Sequence, residues 1–155
     1  MSPAAVRPPM PRSRPRTVVV ERLDDHARLP FRATDGSAAF DLASRRAVTL
    51  VRGVVEKVPT GLKMRAPAGT FLEVRPRSGL AARGVLMVNA PGTIDRDYSG
   101  EIFVPLTYLF DGSYAIRAGD RIAQVRVVAE EPTRFRTGPV KPRPSRSGGF
   151  GSTGR

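Results

Sequence analysis

"EIFVPLTYLFDGSYAIRAGDRIAQVRVVAE", residues 101–130, holds three short apolar runs separated by Asp111-Gly112 and by Ala118-Gly119-Asp120. Runs of about four to eight residues rich in Val, Ile and aromatic side chains, bounded by Gly and Asp, read as strands, because branched and aromatic groups pack well on a pleated surface. Asp-Gly between two such runs is the strongest local signal for a tight hairpin. The stretch therefore predicts successive strands, with "FDGSY" at 110–114 turning between the first two.

The same rhythm extends back to Thr17. "TVVVERL" (17–23), "AAFDLAS" (38–44), "AVTLV" (47–51), "VVEKVPT" (54–60), "TFLEVRP" (70–76) and "VLMVNA" (85–90) are each short and punctuated. Fifteen prolines and fifteen glycines in 155 residues leave little room for long helices. This spacing predicts one all-β domain over residues 17–133, a sandwich or barrel. A single short helix is expected at Ser78 in "RSGLAARG", with Ser78 as its cap and Gly84 as its stop.

The net charge of +12 is unevenly placed. Residues 1–16, "MSPAAVRPPMPRSRPR", carry four arginines and no acid, and residues 134–155 carry six Lys or Arg and no acid. The body between them is close to neutral. The first segment predicts a disordered Pro/Arg-rich arm, with nuclear targeting or nucleic-acid or acidic-partner contact as its other readings. The second predicts an extended C-terminal arm. With no cysteine and one histidine, Cys/His zinc chemistry is excluded, so any metal would be held by oxygen. No apolar run approaches the roughly 20 residues that span a bilayer. The chain is expected to be soluble and intracellular, cytoplasmic or nuclear.

Three polar stretches exceed what a β core needs. In "RPRSGLAARG" (75–84), Arg77, Ser78 and Gly79 at a helix start can converge on an anion, or serve only as a cap. In "NAPGTIDRDYSGEI" (89–102), a shaped hairpin would bring backbone groups to a flat ligand, with Asp95 or Asp97 as a general base; the plainer reading is a surface turn. In "SGGFGSTG" (147–154), glycines let amides approach an anion, Ser152 and Thr153 add hydroxyls, and Phe150 offers a stacking face. Phosphates and a flat ring together describe a nucleotide.

With "AAFDLAS" (38–44) and "GDRIAQV" (119–125), these stretches form five ordered motifs through which the chain resembles the homotrimeric dUTPases from about Val18 to Gly154. The resemblance implies a distorted β-barrel or jelly-roll-like subunit, a homotrimer with shared sites, and Mg²⁺-assisted hydrolysis of dUTP to dUMP and pyrophosphate. It would keep uracil out of DNA and supply dUMP for thymidylate synthesis. By position, Asp95 would activate the attacking water and Asp41 would lie near the metal through water. Tyr98 would lie on the deoxyribose, and Asn89, Thr93 and Ile94 would read uracil, with Phe103 among the substrate-binding residues. Arg77, Ser78, Gly79 and Gln124 would contact phosphates. Arg146, Phe150, Gly151, Ser152 and Thr153 would form a closing arm.

Two departures from the family pattern stand out. Ala39-Phe40 replaces the usual Gly-Tyr before Asp41, and Ser145-Arg146 stands where the family has Arg-Gly, displacing the guanidinium by one residue. In an extended arm such a shift reverses a side chain's direction, so Arg146 or Arg143 is expected to fill the role. Two other readings accompany this one. One is a dCTP deaminase-like enzyme of the same fold; the other is a dUTPase body with an added binding role through its basic arms.

Overall fold

The computed structural model describes residues 15–141. Arg146, Phe150, Gly151, Ser152 and Thr153, Arg143 and most of the N-terminal arm lie outside them. The strands are β1 (Val19–Arg22), β2 (Phe40–Ala43), β3 (Val48–Val51), β4 (Glu56–Pro59), β5 (Leu62–Arg65) and β6 (Thr70–Arg75). After the helix α1 (Ser78–Ala81) come β7 (Val85–Met87), β8 (Gly92–Ile94), β9 (Phe103–Tyr108), β10 (Ser113–Ile116) and β11 (Arg121–Ala129).

The expected barrel is not closed. The described strands form four separate antiparallel sheets, in the orders β2-β11-β6-β8, β4-β9-β7, β1-β5 and β10-β3. Ladders such as Leu72–Val74 on Gly92–Ile94 last only a few residues, and a register shift between Arg121 and Ala123 interrupts the β11–β2 pair. Short ladders end before a sheet can curl back onto itself.

Alternation along the strands builds the core. In β6, Thr70, Leu72 and Val74 are buried while Phe71, Glu73 and Arg75 face outward to varying degrees, the period of two that a half-buried strand requires. Leu42, Leu50, Val58, Leu62, Val104 and Ile122 fill the interior with essentially no exposure. Beyond Val128 the chain through Lys141 is exposed, with Phe135 and Val140 almost wholly so.

The Asp-Gly turn does not make a hairpin. β10 pairs with β3, whereas β9 lies between β4 and β7. Competing partners capture the chain at the turn: Leu109 N–H donates to the Gly84 carbonyl at 2.9 Å, and Arg52 donates to the Asp111 carboxylate at 2.6 Å. The helix start also differs from expectation. Arg77, extended at φ −99° and ψ 128°, is the N-cap, no side chain caps the turn, and Ser78 is already helical. Nor is Gly84 the stop: the helix ends at Ala81 with Ala82 as its C-cap, and Gly84, at φ +82°, lies in the turn beyond it, where an added Cβ would be 2.5 Å from the Phe110 ring.

Near β1, Asp24 holds a turn through N–H donors from His26 (2.9 Å) and Ala27 (3.2 Å), and it pairs with Arg45. Desolvation pushes its pKa up, but the Arg45 hydrogen bond, the His26 amide, the Arg45 charge and the Ala27 amide together hold it below the ordinary aspartate value. The folded carboxyl therefore ionises more readily than the unfolded one. Its stabilisation is present above the unfolded value near pH 4 and is lost as pH falls through the lower folded value. The melting temperature of Asp24→Asn should accordingly fall below wild type at pH 7, with the gap narrowing at pH 3; a gap independent of pH would contradict this.

Candidate active site

Two clefts receive most of those candidate site residues that fall among the described residues. The first, about 290 Å³, is lined by Asn89, Thr93, Ile94, Asp95, Tyr98 and Phe103, with Lys57 and Glu101 also on its wall. β8 is the edge strand of its sheet, so among the described residues the outward-facing backbone N–H and C=O groups along Gly92–Ile94 have no strand partner. Such a row can read the donor and acceptor edge of a flat base.

Local backbone explains how the polar residues arrive there. Gly92 is buried, and a Cβ on it would come within 3.1 Å of both Asn89 Nδ2 and Met87 Cε, so glycine leaves space for the Asn89 amide beside the strand. The Ala90–Pro91 peptide is cis. Asp95 directly follows β8 and is exposed; a Tyr98 N–H to Asp95 carbonyl bond of 3.1 Å then folds the chain back. The Tyr98 ring lies against Gly100, where a Cβ would be 2.5 Å from its hydroxyl oxygen. The 89–102 stretch is therefore not the expected hairpin: β8 pairs with β6, and the chain crosses to another sheet at β9.

The second cleft, about 410 Å³, has Ala39, Arg75, Ser78, Gln124 and Arg126 on its walls. Gln124 on its wall reaches Asp41, which is only 2 % exposed. Its Oδ1 accepts from Gln124 Nε2 at 3.1 Å and faces Arg77 Nε at 3.2 Å, while Oδ2 accepts from Arg121 at 3.1 Å. Arg77 also donates to the Arg121 carbonyl at 2.9 Å. Pairing of Asp41 with Gln124 across β2 and β11 makes this cluster possible, since paired residues share a face. Gly79 sits in α1, with open space where its Cβ would be.

The two clefts have no lining residue in common. Within one chain, the residues expected to read a base thus lie in a different cleft from Ser78 and Gln124, which are expected to contact phosphates. Lys57, Glu101 and Arg121 were not chosen from the sequence. Arg121 and Glu101 lie inside quoted motifs, but Lys57 reaches the first cleft only because β4 pairs with β9 opposite Pro105.

A magnesium ion fits this chain only loosely. Among the described residues no three His, Cys, Asp or Glu side chains gather to hold a metal. Hydrogen bonds from Arg121 and Gln124 already occupy two of the four lone-pair positions of Asp41, and the Arg77 ion pair crowds a third. That leaves room for one water of a hydrated ion, the mode Mg²⁺ favours when phosphates supply the remaining ligands.

Residues 25–154 match the sequence model of the dUTPase family. The chain belongs to the dUTPase family. It is 46 % identical over 148 residues to the deoxyuridine 5'-triphosphate nucleotidohydrolase of Anaeromyxobacter sp. Fw109-5, covering 91 % of this chain and 99 % of that one. The enzyme of the same name from Mycolicibacterium vanbaalenii is 50 % identical over 115 residues, 73 % of this chain and 75 % of its relative. In structure, the Staphylococcus bacteriophage 80alpha dUTPase solved with dUPNHPP superposes with a TM-score of 0.74 at 25 % identity, over 89 % of this chain and 98 % of that one. The dUTPase fold and the enzyme class anticipated from the five motifs, dUTP diphosphatase, are those of this family. Among the described residues no helix is long and apolar enough to cross a membrane.

Proposed function

We propose that this dUTPase hydrolyses dUTP to dUMP and pyrophosphate, with uracil and deoxyribose in the cleft beside β8. The observation that carries the reading is the convergence of Asn89, Thr93, Ile94, Asp95 and Tyr98 on one cleft beside the edge strand β8. Asp95 takes a proton from a water whose oxygen bonds to the α-phosphorus, while the bond from that phosphorus to the bridging oxygen breaks and pyrophosphate leaves. Arg77, Ser78 and Gln124 receive the phosphates. Two arginines around one buried aspartate leave the cluster with net positive charge, so Asp41 orients Arg77 without cancelling its attraction for the polyphosphate. Magnesium on the phosphate oxygens would add charge neutralisation, with Asp41 reaching it through water.

The separation of the two clefts supports a site assembled between chains of a homotrimer, the phosphate cleft of one chain facing the base cleft of another. The C-terminal arm, residues 134–155, whose described part through Lys141 is exposed, would then close over the site with Phe150 on the base and Arg146 on the terminal phosphate. Its basic residues, with those of the N-terminal arm, would supply any contact with nucleic acid.

Steady-state turnover of dUTP, dTTP, dCTP and UTP with and without Mg²⁺ tests the reading. Pyrophosphate release from dUTP should exceed that from each of the others by at least about a hundredfold in kcat/KM, because a thymine methyl, a cytosine amine or a 2′-hydroxyl meets a shaped or hydrogen-bonded wall. Ammonia released from dCTP would replace it with the deaminase reading.

A further inference from the structure

Loop 95–100 is tied to the body by very little. Apart from the turn bond between Tyr98 N–H and the Asp95 carbonyl, its one hydrogen bond among the described residues runs from the Tyr98 hydroxyl to the Glu101 carbonyl at 2.8 Å. Glu101 is therefore where the orientation of the Tyr98 ring is set. Its own side chain turns the other way, and Oε1 accepts the Gly61 N–H at 2.8 Å.

That anchor cannot shift easily. Gly61 is buried at φ +71°, and a Cβ there would sit 2.7 Å from Ala27 Cβ. On the next residue, Thr60 Oγ1 donates to the Ile102 carbonyl at 2.7 Å and Ile102 N–H donates to the Leu62 carbonyl at 2.8 Å. Ile102 is thus fixed without help from Glu101, whose carboxylate is the last tie before the loop.

We propose that Glu101 is a positioning residue for sugar selection: by accepting the Gly61 N–H it fixes the peptide whose carbonyl holds the Tyr98 hydroxyl, and so the wall against which a deoxyribose, and not a ribose, fits. The selection of deoxyribose rests on the proposed dUTP reaction; the positioning of Tyr98 does not. Acceptance of a hydrogen bond, not negative charge, is the property used. Glutamine keeps that acceptor and alanine removes it.

Glu101→Gln and Glu101→Ala are compared with wild type in dUTP and UTP turnover, in thermal melting, and by NMR of ¹³C-labelled tyrosine with the Tyr98 resonance assigned from Tyr98→Phe. For Glu101→Ala, the ratio of kcat/KM for dUTP over UTP should fall about tenfold, as expected for a wall misplaced by a fraction of an ångström, and the Tyr98 resonance should move. Glu101→Gln should match wild type in both. An unchanged ratio in Glu101→Ala, even with a lowered melting temperature, reduces Glu101 to a structural tie and overturns the proposal. Equal damage from both variants overturns the acceptor role in favour of charge. Absence of dUTP turnover in wild type removes the reaction itself, while the tyrosine spectrum still decides whether Glu101 positions Tyr98.

Discussion

Asp95→Asn is expected to lower kcat for dUTP by about a thousandfold while leaving KM within about threefold, the signature of a lost general base. Asparagine keeps the shape of aspartate and can hold a water by hydrogen bonding, but it cannot accept the proton as the oxygen attacks phosphorus. Because Asp95 is exposed at the end of β8 and makes no side-chain hydrogen bond among the described residues, the exchange should alter folding stability by no more than about 0.5 kcal/mol. Unchanged melting therefore separates lost chemistry from lost structure. Single-turnover measurement with saturating enzyme makes the comparison direct. A variant with wild-type kcat would take the base role from Asp95 and pass it to Asp97 on the same exposed loop.

Removing Asp41 acts through stability and binding together. Its 2 % exposure and its engagement by Arg77, Arg121 and Gln124 mean that Asp41→Ala leaves two guanidinium groups facing each other across a small void. Breaking a fully buried pair costs about 3–5 kcal/mol. Here the arginine side chains are 21 % and 43 % exposed and can regain water, so a loss of about 2–3 kcal/mol is expected. In a chain of this size that corresponds to a fall of roughly 5–10 °C in melting temperature. Substrate KM should also rise, since Arg77 and Gln124 lose the acceptor that aims them. Asp41→Asn preserves volume but presents an N–H₂ group to one guanidinium, so it should fall between wild type and alanine. Calorimetry and KM on the same preparations check both effects; wild-type KM in the alanine variant would show that Asp41 does not orient the phosphate-contacting residues.

Much of the site was legible because its residues are local in sequence. Asn89, Thr93, Ile94, Asp95 and Tyr98 fall within ten positions and reach one cleft, as a short edge strand followed by a turn must bring them. Glu101 stood in the same quoted motif, yet its role depends on Gly61, forty residues away. The Asp41 cluster is similar. Each member lies in a recognised motif, but the partnership of residues 41, 77, 121 and 124 exists only once β2 lies beside β11.

Apolar alternation, Gly/Pro punctuation and five ordered motifs were sufficient to define an all-β chain of the dUTPase family, since strand propensity and motif spacing are properties of contiguous residues. Tertiary structure alone decided that the strand after the Asp-Gly turn pairs with β3 and not with β9, that Arg77 and not Ser78 is the N-cap of the helix, and that the residues beside β8 line a different cleft from Ser78 and Gln124. Those outcomes turn on which distant backbone group competes best for a strand edge or an N–H, and hydrogen-bond partners separated by tens of residues leave no periodic trace in the sequence.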